Sequence, residues 1–474
     1  MQFAREINRL LLGVLAVLLI VAGSATYWAI VGADTILDRK DNPRQVEAEA
    51  SIRRGSIFDR NGQLLVETTD ADGGLMRRYL HPETYSALGY FSLRYGVNGA
   101  EAAYNTTLRG DDRPSDFNTY FSMDILHRPH QGSDVRLTFD LAIQQQVAHI
   151  MAGRQGAAIV LAVPSGEVLA MVSAPTFDPN TLDTEWERLI AEPGNPFFNR
   201  ALQGNYQPGG TLQTPLIAAA MLTGIPLDTP IDDATRPLSI ANVNLRCAAF
   251  LSPRALTLRE AYLFGCPYPF AQLADELGIE GVQAIFDTFH LDSPPTLAGF
   301  VVQPADTPTA SPSTFSLNSD NLAQNALGQG ELTITPLEMA MIGAAIVNDG
   351  NAPEPYTLQE TRPPGSEAWI PATHLHPSIP LTTANTARQL QDMMRLAVAN
   401  GAAQNAGRAN IDIGGHATLA YSGEGAQAWF VGFATLGGRQ GVAVAIVIEN
   451  SDDPGLAADI GGSALAIARD ALSP

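Results

Sequence analysis

The chain has 474 residues, is 45% hydrophobic and 16% charged, and carries a formal net charge of −21. That length supports a large core and two folded units, and the acidic balance excludes a nucleic-acid backbone as a partner. Cys247 and Cys266 are too few for a disulfide framework or for a structural zinc site, which takes about four ligands. A single bridge between them is open if they lie outside the cytoplasm. Lys40 is the only lysine; arginine supplies every other fixed positive charge.

In chain order, residues 1–9 form a short polar tail holding Arg5 and Arg9. Leu10 to Val31 then runs without a charged residue. As a helix at ~1.5 Å per residue it spans a bilayer core of ~30 Å. A cleaved signal peptide is the competing reading, with Ala22-Gly23-Ser24-Ala25 as its cleavage site, but its apolar region runs only ~7–15 residues. An uncleaved anchor fits better. Arg5 and Arg9 before it and Asp34 after it predict a single-pass protein of the cytoplasmic membrane with a cytoplasmic N-terminus and an extracytoplasmic remainder. Residues 32–50 read as a linker, and 51–135 as a small N-terminal pedestal of short strands and turns such as Arg60-Asn61-Gly62.

The larger domain, 136–474, opens with a strand over Arg136–Phe139 and a helix over Leu141–Met151. Gly156–Val163, the turn at Ser165-Gly166 and Glu167–Ser173 predict a buried β-hairpin. Thr211–Leu222 is apolar nearly all round, the pattern of a central buried helix. Leu256–Leu277 reads as a helix broken near Pro267 and Pro269. Residues 292–318 form a Pro-, Ser- and Thr-rich loop. Helices over Leu337–Val347 and Thr383–Val398, strands over Ala428–Ala434 and Gly441–Glu449, and a final helix through Ala471 complete the chain. Strands at both ends with helices between predict an α+β domain, its antiparallel sheet closed by both termini.

Several strings, in order, resemble the class B penicillin-binding proteins of bacterial wall synthesis, in their short actinobacterial form. Arg54-Gly55-Ser56-Ile57-Phe58-Asp59-Arg60-Asn61-Gly62 is similar to that family's N-terminal signature. Gly89-Tyr90-Phe91-Ser92-Leu93-Arg94-Tyr95-Gly96, Leu137-Thr138-Phe139-Asp140, Ser173-Ala174-Pro175-Thr176-Phe177-Asp178-Pro179-Asn180 and Asn199-Arg200-Ala201 follow. Gly328-Gln329-Gly330, Thr335-Pro336-Leu337-Glu338-Met339-Ala340 and Ala428-Trp429-Phe430-Val431-Gly432-Phe433 complete the series. The resemblance implies a transpeptidase domain of the serine β-lactamase type on a pedestal.

That chemistry rests on S-x-x-K, S-x-N and K-T-G. A serine needs a base to attack a D-alanyl-D-alanine carbonyl, and a lysine one helical turn on supplies it. After Tyr206-Gln207-Pro208-Gly209, the serine's place is held by Gly210 and the lysine's by Gln213. Thr211 is the nearest hydroxyl, but one helical step turns it about 100° away, and a helix-start role suits it better. Before Phe270-Ala271-Gln272, Gly265-Cys266-Pro267 lacks the second motif's hydroxyl and amide. Ser316-Leu317-Asn318 spells S-x-N inside the loop and reads as a chance match. The third motif's place before Ala428 is read as Gly415, His416 and Ala417 for Lys, Thr and Gly. His416, when protonated, could hold an anion. With Lys40 beside the membrane, no lysine in the folded domain can replace either missing one.

The sequence thus predicts a pseudo-transpeptidase acting as scaffold or regulator, with no catalytic residues and no cofactor. Family analogy pairs it with a SEDS-type membrane glycosyltransferase or other wall-synthesis proteins. Alternatives are a non-covalent sensor of peptidoglycan stem peptide or β-lactam, and an enzyme using unconventional groups. His374 and His376 form an H-x-H pair in a proline-flanked loop without a carboxylate partner, so no metal is expected.

Overall fold

The computed structural model describes residues 2–27, 47, 49–71, 74–112, 131–240, 243–291, 293, 295–302, 317–374, 377–422, 425–438 and 440–473. Lys40, His376, Ser316 and most of the Pro/Ser/Thr-rich loop lie outside them. The chain divides into two units, one of residues 1–53, 69–76 and 114–131, the other of 54–68, 77–113 and 132–474.

The first unit holds the N-terminal helix Gln2–Tyr27. Its stretch Ile7–Tyr27 is long and apolar enough to cross a membrane. The helix starts eight residues before the predicted span, because nothing in Gln2–Arg9 breaks it. Residues 28–31 of that span lie outside the described residues.

In the second unit, strands 370–371, 358–362, 134–137 and 57–58 and residues 64–68 of the next strand pair in that order. It thus takes strands from both sides of residue 135. The Arg54–Gly62 string is explained by what it packs against. Arg54 is buried and donates to Glu101 at 2.8 Å, and Arg77 donates to the same carboxylate at 2.7 Å. Burial pushes Glu101 up, but the two guanidiniums outweigh it and hold the carboxyl below its ordinary value. A Cβ on Gly55 would stand 1.8 Å from the Ser133 carbonyl oxygen. Asp59 Oδ1 accepts from the amides of Asn61 and Gln63, and its Oδ2 from that of Leu141. These residues hold the two halves of the unit together.

The central sheet has five antiparallel strands: β1 (Gly156–Val163), β2 (Val168–Ala174), β3 (Ile413–Ser422), β4 (Gly425–Gly437) and β5 (Gln440–Glu449). Their order is β3-β4-β5-β1-β2. The β5–β1 ladder, Gly441↔Val163 through Ile448↔Gly156, joins strands almost 300 residues apart by residue number. This is the α+β sheet closed from both ends that the strand positions predict. Each of β1 and β5 is an uninterrupted apolar run because helices cover both faces. The helices Leu141–Ile150 and Pro454–Leu472 pack on one face, and Pro336–Val347 on the other.

Three elements differ from their sequence expectation. The predicted helix at Thr211 begins as a 3₁₀ turn, Gly209–Leu212, before Gln213–Thr223 continues as α. The predicted break near Pro267 falls at Gly265, which caps Leu258–Phe264 in the left-handed region (φ 62°). Pro267 then starts a new helix, since a first-turn proline lacks only an N–H with no helical acceptor; the helix breaks at Gly278 (φ 66°), next to the predicted end at Leu277, and helical structure resumes to Thr288. Strand β3 is not predicted at all: Gly414-Gly415 and small side chains give no alternation to read.

Candidate functional site

The three degenerate motifs converge where the helix Gln213–Thr223, the Gly265 turn and β3 meet. Gly209 (φ 53°) donates its amide to the Gly328 carbonyl at 2.9 Å. A Cβ on Gly328 would stand 2.3 Å from the Gly209 nitrogen. The Gly328-Gln329-Gly330 string is therefore a close backbone approach that presents Gln329 to the site.

A small cavity remains, of about 20 Å³, lined by Gly210, Gln213, Gly265, Pro267, Gln329 and Thr418, with Leu245, Arg246, Leu327, Leu419 and Tyr421 around it. That volume holds roughly one water. Gln213, Gln329 and Thr418 are all buried. Among the described residues, Gln213 Oε1, Gln329 Nε2 and Thr418 Oγ1 have no hydrogen-bond partner. Each would gain from one polar guest of water's size.

The nucleophile's place is filled from across the cleft. A Cβ on Gly210 would meet Thr418 Cβ at 2.8 Å and its Cγ2 at 3.1 Å. Thr211 is buried and donates its hydroxyl to the Pro208 carbonyl at 2.7 Å, so it points no oxygen into the cavity. At the second motif, a Cβ on Gly265 would meet Ala248 Cβ at 2.8 Å, on a left-handed residue that already disfavours side chains. Residues 247–249 press against this turn. Ala248 and Ala249 donate their amides to the Gly265 and Phe264 carbonyls. The two cysteines meet here, with an S–S distance of 2.07 Å between Cys247 and buried Cys266.

Which third-motif residues face the cleft is set by the strand's two-residue period. A Cβ on Gly415 would strike the Phe430 ring at 2.3 Å, and so would one on Gly461 of the C-terminal helix, at 2.0 Å. Gly415 therefore faces the C-terminal helix, away from the cleft, as does Ala417 in the same apolar cluster. The residues turned to the cleft side are His416 and Thr418. Of the expected motif residues, Gly415 and Ala417 are thus turned from the cleft, and His416 is turned toward it.

His416 is buried. Its Nε2 donates to the Gly210 carbonyl at 3.3 Å, which assigns the ring proton to Nε2 because a carbonyl only accepts. The ring stacks on Tyr262 with centroids 4.2 Å apart and planes 3° apart. Tyr262, itself buried, shares a 2.9 Å hydrogen bond with Thr214. Burial lowers the His416 pKa to about 4, the Gly210 contact opposing weakly. Burial and the contact to the Gly210 carbonyl favour the neutral ring over the protonated, anion-binding form that the sequence allows.

Asn318 lies apart, its Oδ1 accepting from the amides of Asp320 and Asn321. His374 Nε2 lies 2.5 Å from the Leu358 carbonyl oxygen. Among the described residues, no group of three or more His, Cys, Asp or Glu side chains could hold a metal. Sequence reasoning missed Thr418, Gln329, Tyr262 and Arg246. Only the G-x-G around Gln329 pointed to any of them.

Comparison with known proteins agrees with the fold. Residues 156–473 match the penicillin binding protein transpeptidase domain, and residues 54–135 the penicillin binding protein A dimerisation domain. The chain is 29% identical to the peptidoglycan D,D-transpeptidase PbpA of Mycolicibacterium smegmatis, covering 98% of both chains. It is 29% identical to PbpA of Mycobacterium tuberculosis over 94% of each. The imipenem acyl-enzyme structure of M. tuberculosis penicillin-binding protein A superposes with a TM-score of 0.77, at 29% identity over 89% of this chain and 99% of that one. The D,D-transpeptidase domain from Eggerthella lenta gives 0.76, at 27% identity over 89% and 99%. With one family model covering most of the chain, and with the antiparallel sheet and cleft position that model implies, the chain belongs to the penicillin-binding protein transpeptidase family.

Proposed function

We propose that this family member is a non-catalytic scaffold or regulator of peptidoglycan synthesis, anchored by its N-terminal helix with that terminus in the cytoplasm. The observation that carries this is the exchange at Gly210 and Thr418: the nucleophile's side chain is absent, and a threonine occupies its space. The base is Gln213, which cannot take a proton, and His416, at the third motif, is neutral and buried. Relatives bear the name D,D-transpeptidase; the reading here departs from that name on the residues of this cleft. A cavity of about 20 Å³ also weighs against a sensor that admits a stem peptide or β-lactam. The buried Arg54–Glu101–Arg77 network and the close Gly209–Gly328 approach support a chain kept for its fold and contacts. By analogy its partner is a SEDS-type glycosyltransferase or another wall-synthesis protein.

The test is labelling of the detergent-solubilised full chain with fluorescent penicillin, beside a catalytic relative as positive control. The expected result is no adduct after denaturation. A covalent band that a single cleft substitution abolishes would overturn the reading.

A further inference from the structure

In a chain with net charge −21, residues 234–259 contain Arg236, Arg246, Arg254 and Arg259 and no aspartate or glutamate. The fold gathers three of these arginines at the cleft mouth. Leu238–Ile240 and Val243–Leu245 pair as a hairpin, Leu238 opposite Leu245, so Arg236 and Arg246 leave its open end on adjoining strands. The Arg254 amide donates to Thr235 Oγ1 at 3.2 Å, bringing it to the same end. Arg236 lies over the Tyr268 ring at 3.8 Å, Arg254 over Phe264 at 5.1 Å, and Arg246 borders the cavity. Arg259 is satisfied by Asp228 at 2.9 Å.

The other three differ. Among the described residues none has a carboxylate within ion-pair distance, and Asp232 and Asp233, nearest in sequence, reach none of them. Most other arginines of the domain are ion-paired, as Arg54, Arg77, Arg200, Arg362, Arg395 and Arg408 are. Phe250 stands on the same loop and is 100% exposed. That loop is held by the Ala248 and Ala249 hydrogen bonds and the Cys247–Cys266 bridge, so the phenyl ring is presented from a fixed base.

We propose that Arg236, Arg246, Arg254 and Phe250 form a docking surface for an acidic polypeptide segment of a partner protein, with Phe250 as its apolar anchor. Charge complementarity selects the partner. Guanidiniums stacked on rings are pre-oriented for bidentate carboxylate recognition, and an exposed aromatic beside arginines is the composition of an interface centre. The acidic remainder of the molecule does not prevent this, because its repulsion is screened beyond ~8 Å at physiological salt. Phe250 argues for a peptide over a bare polyanion, which offers nothing to an apolar ring. The inference deepens the scaffold reading and rests on it, since a cleft that turns over no substrate leaves its rim free for a partner.

The test uses the full chain in detergent and a fluorescent twelve-residue peptide alternating glutamate with leucine, followed by anisotropy. Saturable binding is expected, weakened at least tenfold by R236Q/R246Q/R254Q and several-fold by Phe250→Ala. A peptide with glutamine for glutamate should not bind. No binding of the glutamate peptide at low salt overturns the proposal. So does polyphosphate binding as tightly and equally to Phe250→Ala, or self-association that the arginine variant abolishes, which would make a second copy the occupant. Thermal melting of each variant checks that it folds. Fluorescent penicillin added to the same samples separates the two readings. An adduct overturns the scaffold reading whatever the peptide does, and lost peptide binding without an adduct overturns only the docking surface.

Discussion

The neutral, buried state of His416 carries a pH dependence that can be worked out. An imidazole ordinarily titrates near 6.5, and burial holds this one at about 4. Above pH 6.5 the ring is neutral in the folded and unfolded chain alike, and its contribution is fully present. As pH falls below 6.5 the unfolded chain takes the proton first, so stability is lost progressively down to about pH 4. Roughly two and a half pKa units at ~1.4 kcal/mol each give a loss of about 3 kcal/mol across that window. His416→Phe keeps a flat ring against Tyr262 but removes both the titration and the bond to the Gly210 carbonyl. At pH 7.5 the variant is expected to be less stable by about 1–2 kcal/mol, the cost of an unpaired buried carbonyl. At pH 4.5 the gap should close or reverse, because only the wild type loses stability through the histidine's titration. Urea unfolding of both chains in detergent at the two pH values reads the difference, and the carboxylates common to both cancel. An equal gap at both pH values would refute the buried, neutral histidine.

Other outcomes follow from the same cleft and its supports. Gly210→Ser should cost about 1–3 kcal/mol by overpacking against Thr418 and should gain no penicillin labelling. Adding Thr418→Gly should recover part of that loss, measured as a coupling energy in a double-mutant cycle. Glu101→Gln leaves Arg54 and Arg77 buried without their carboxylate, and the expected cost is about 3–5 kcal/mol in a denaturant titration. Cys247→Ser/Cys266→Ser, or reduction of the wild type, should lower stability by about 3 kcal/mol, since the bridge spans a sequence separation of 19. Because residues 247–249 would loosen, the 3.2 Å Ala248–Gly265 hydrogen bond should exchange its amide proton faster.

The family, the α+β sheet closed by both termini, and most helices were legible in the residues. Apolar periodicity and glycine- and proline-punctuated strings are local, and they survive translation into structure almost unchanged. That residue 210 is a glycine and residue 213 a glutamine was equally legible, because side-chain identity needs no coordinates. The Arg54–Gly62 string was readable as a signature, but its reason, a carboxylate shared with Arg77 and a glycine against the Ser133 carbonyl, lay far along the chain.

Tertiary structure alone decided the cleft. Strand β3 carries too few large side chains to announce its phase; only the Phe430 ring shows that Gly415 faces away from the cleft and His416 toward it. Thr418 filling the space beside Gly210, Tyr262 stacking on His416, and the bridged loop over Gly265 are contacts between segments up to about 200 residues apart. Motif reading compares each position with a family's residue at that position. A cleft is lost or kept by whether its walls meet, and in this chain the walls come from β3, the Gly265 turn and the start of the Gln213 helix, which no local pattern brings together.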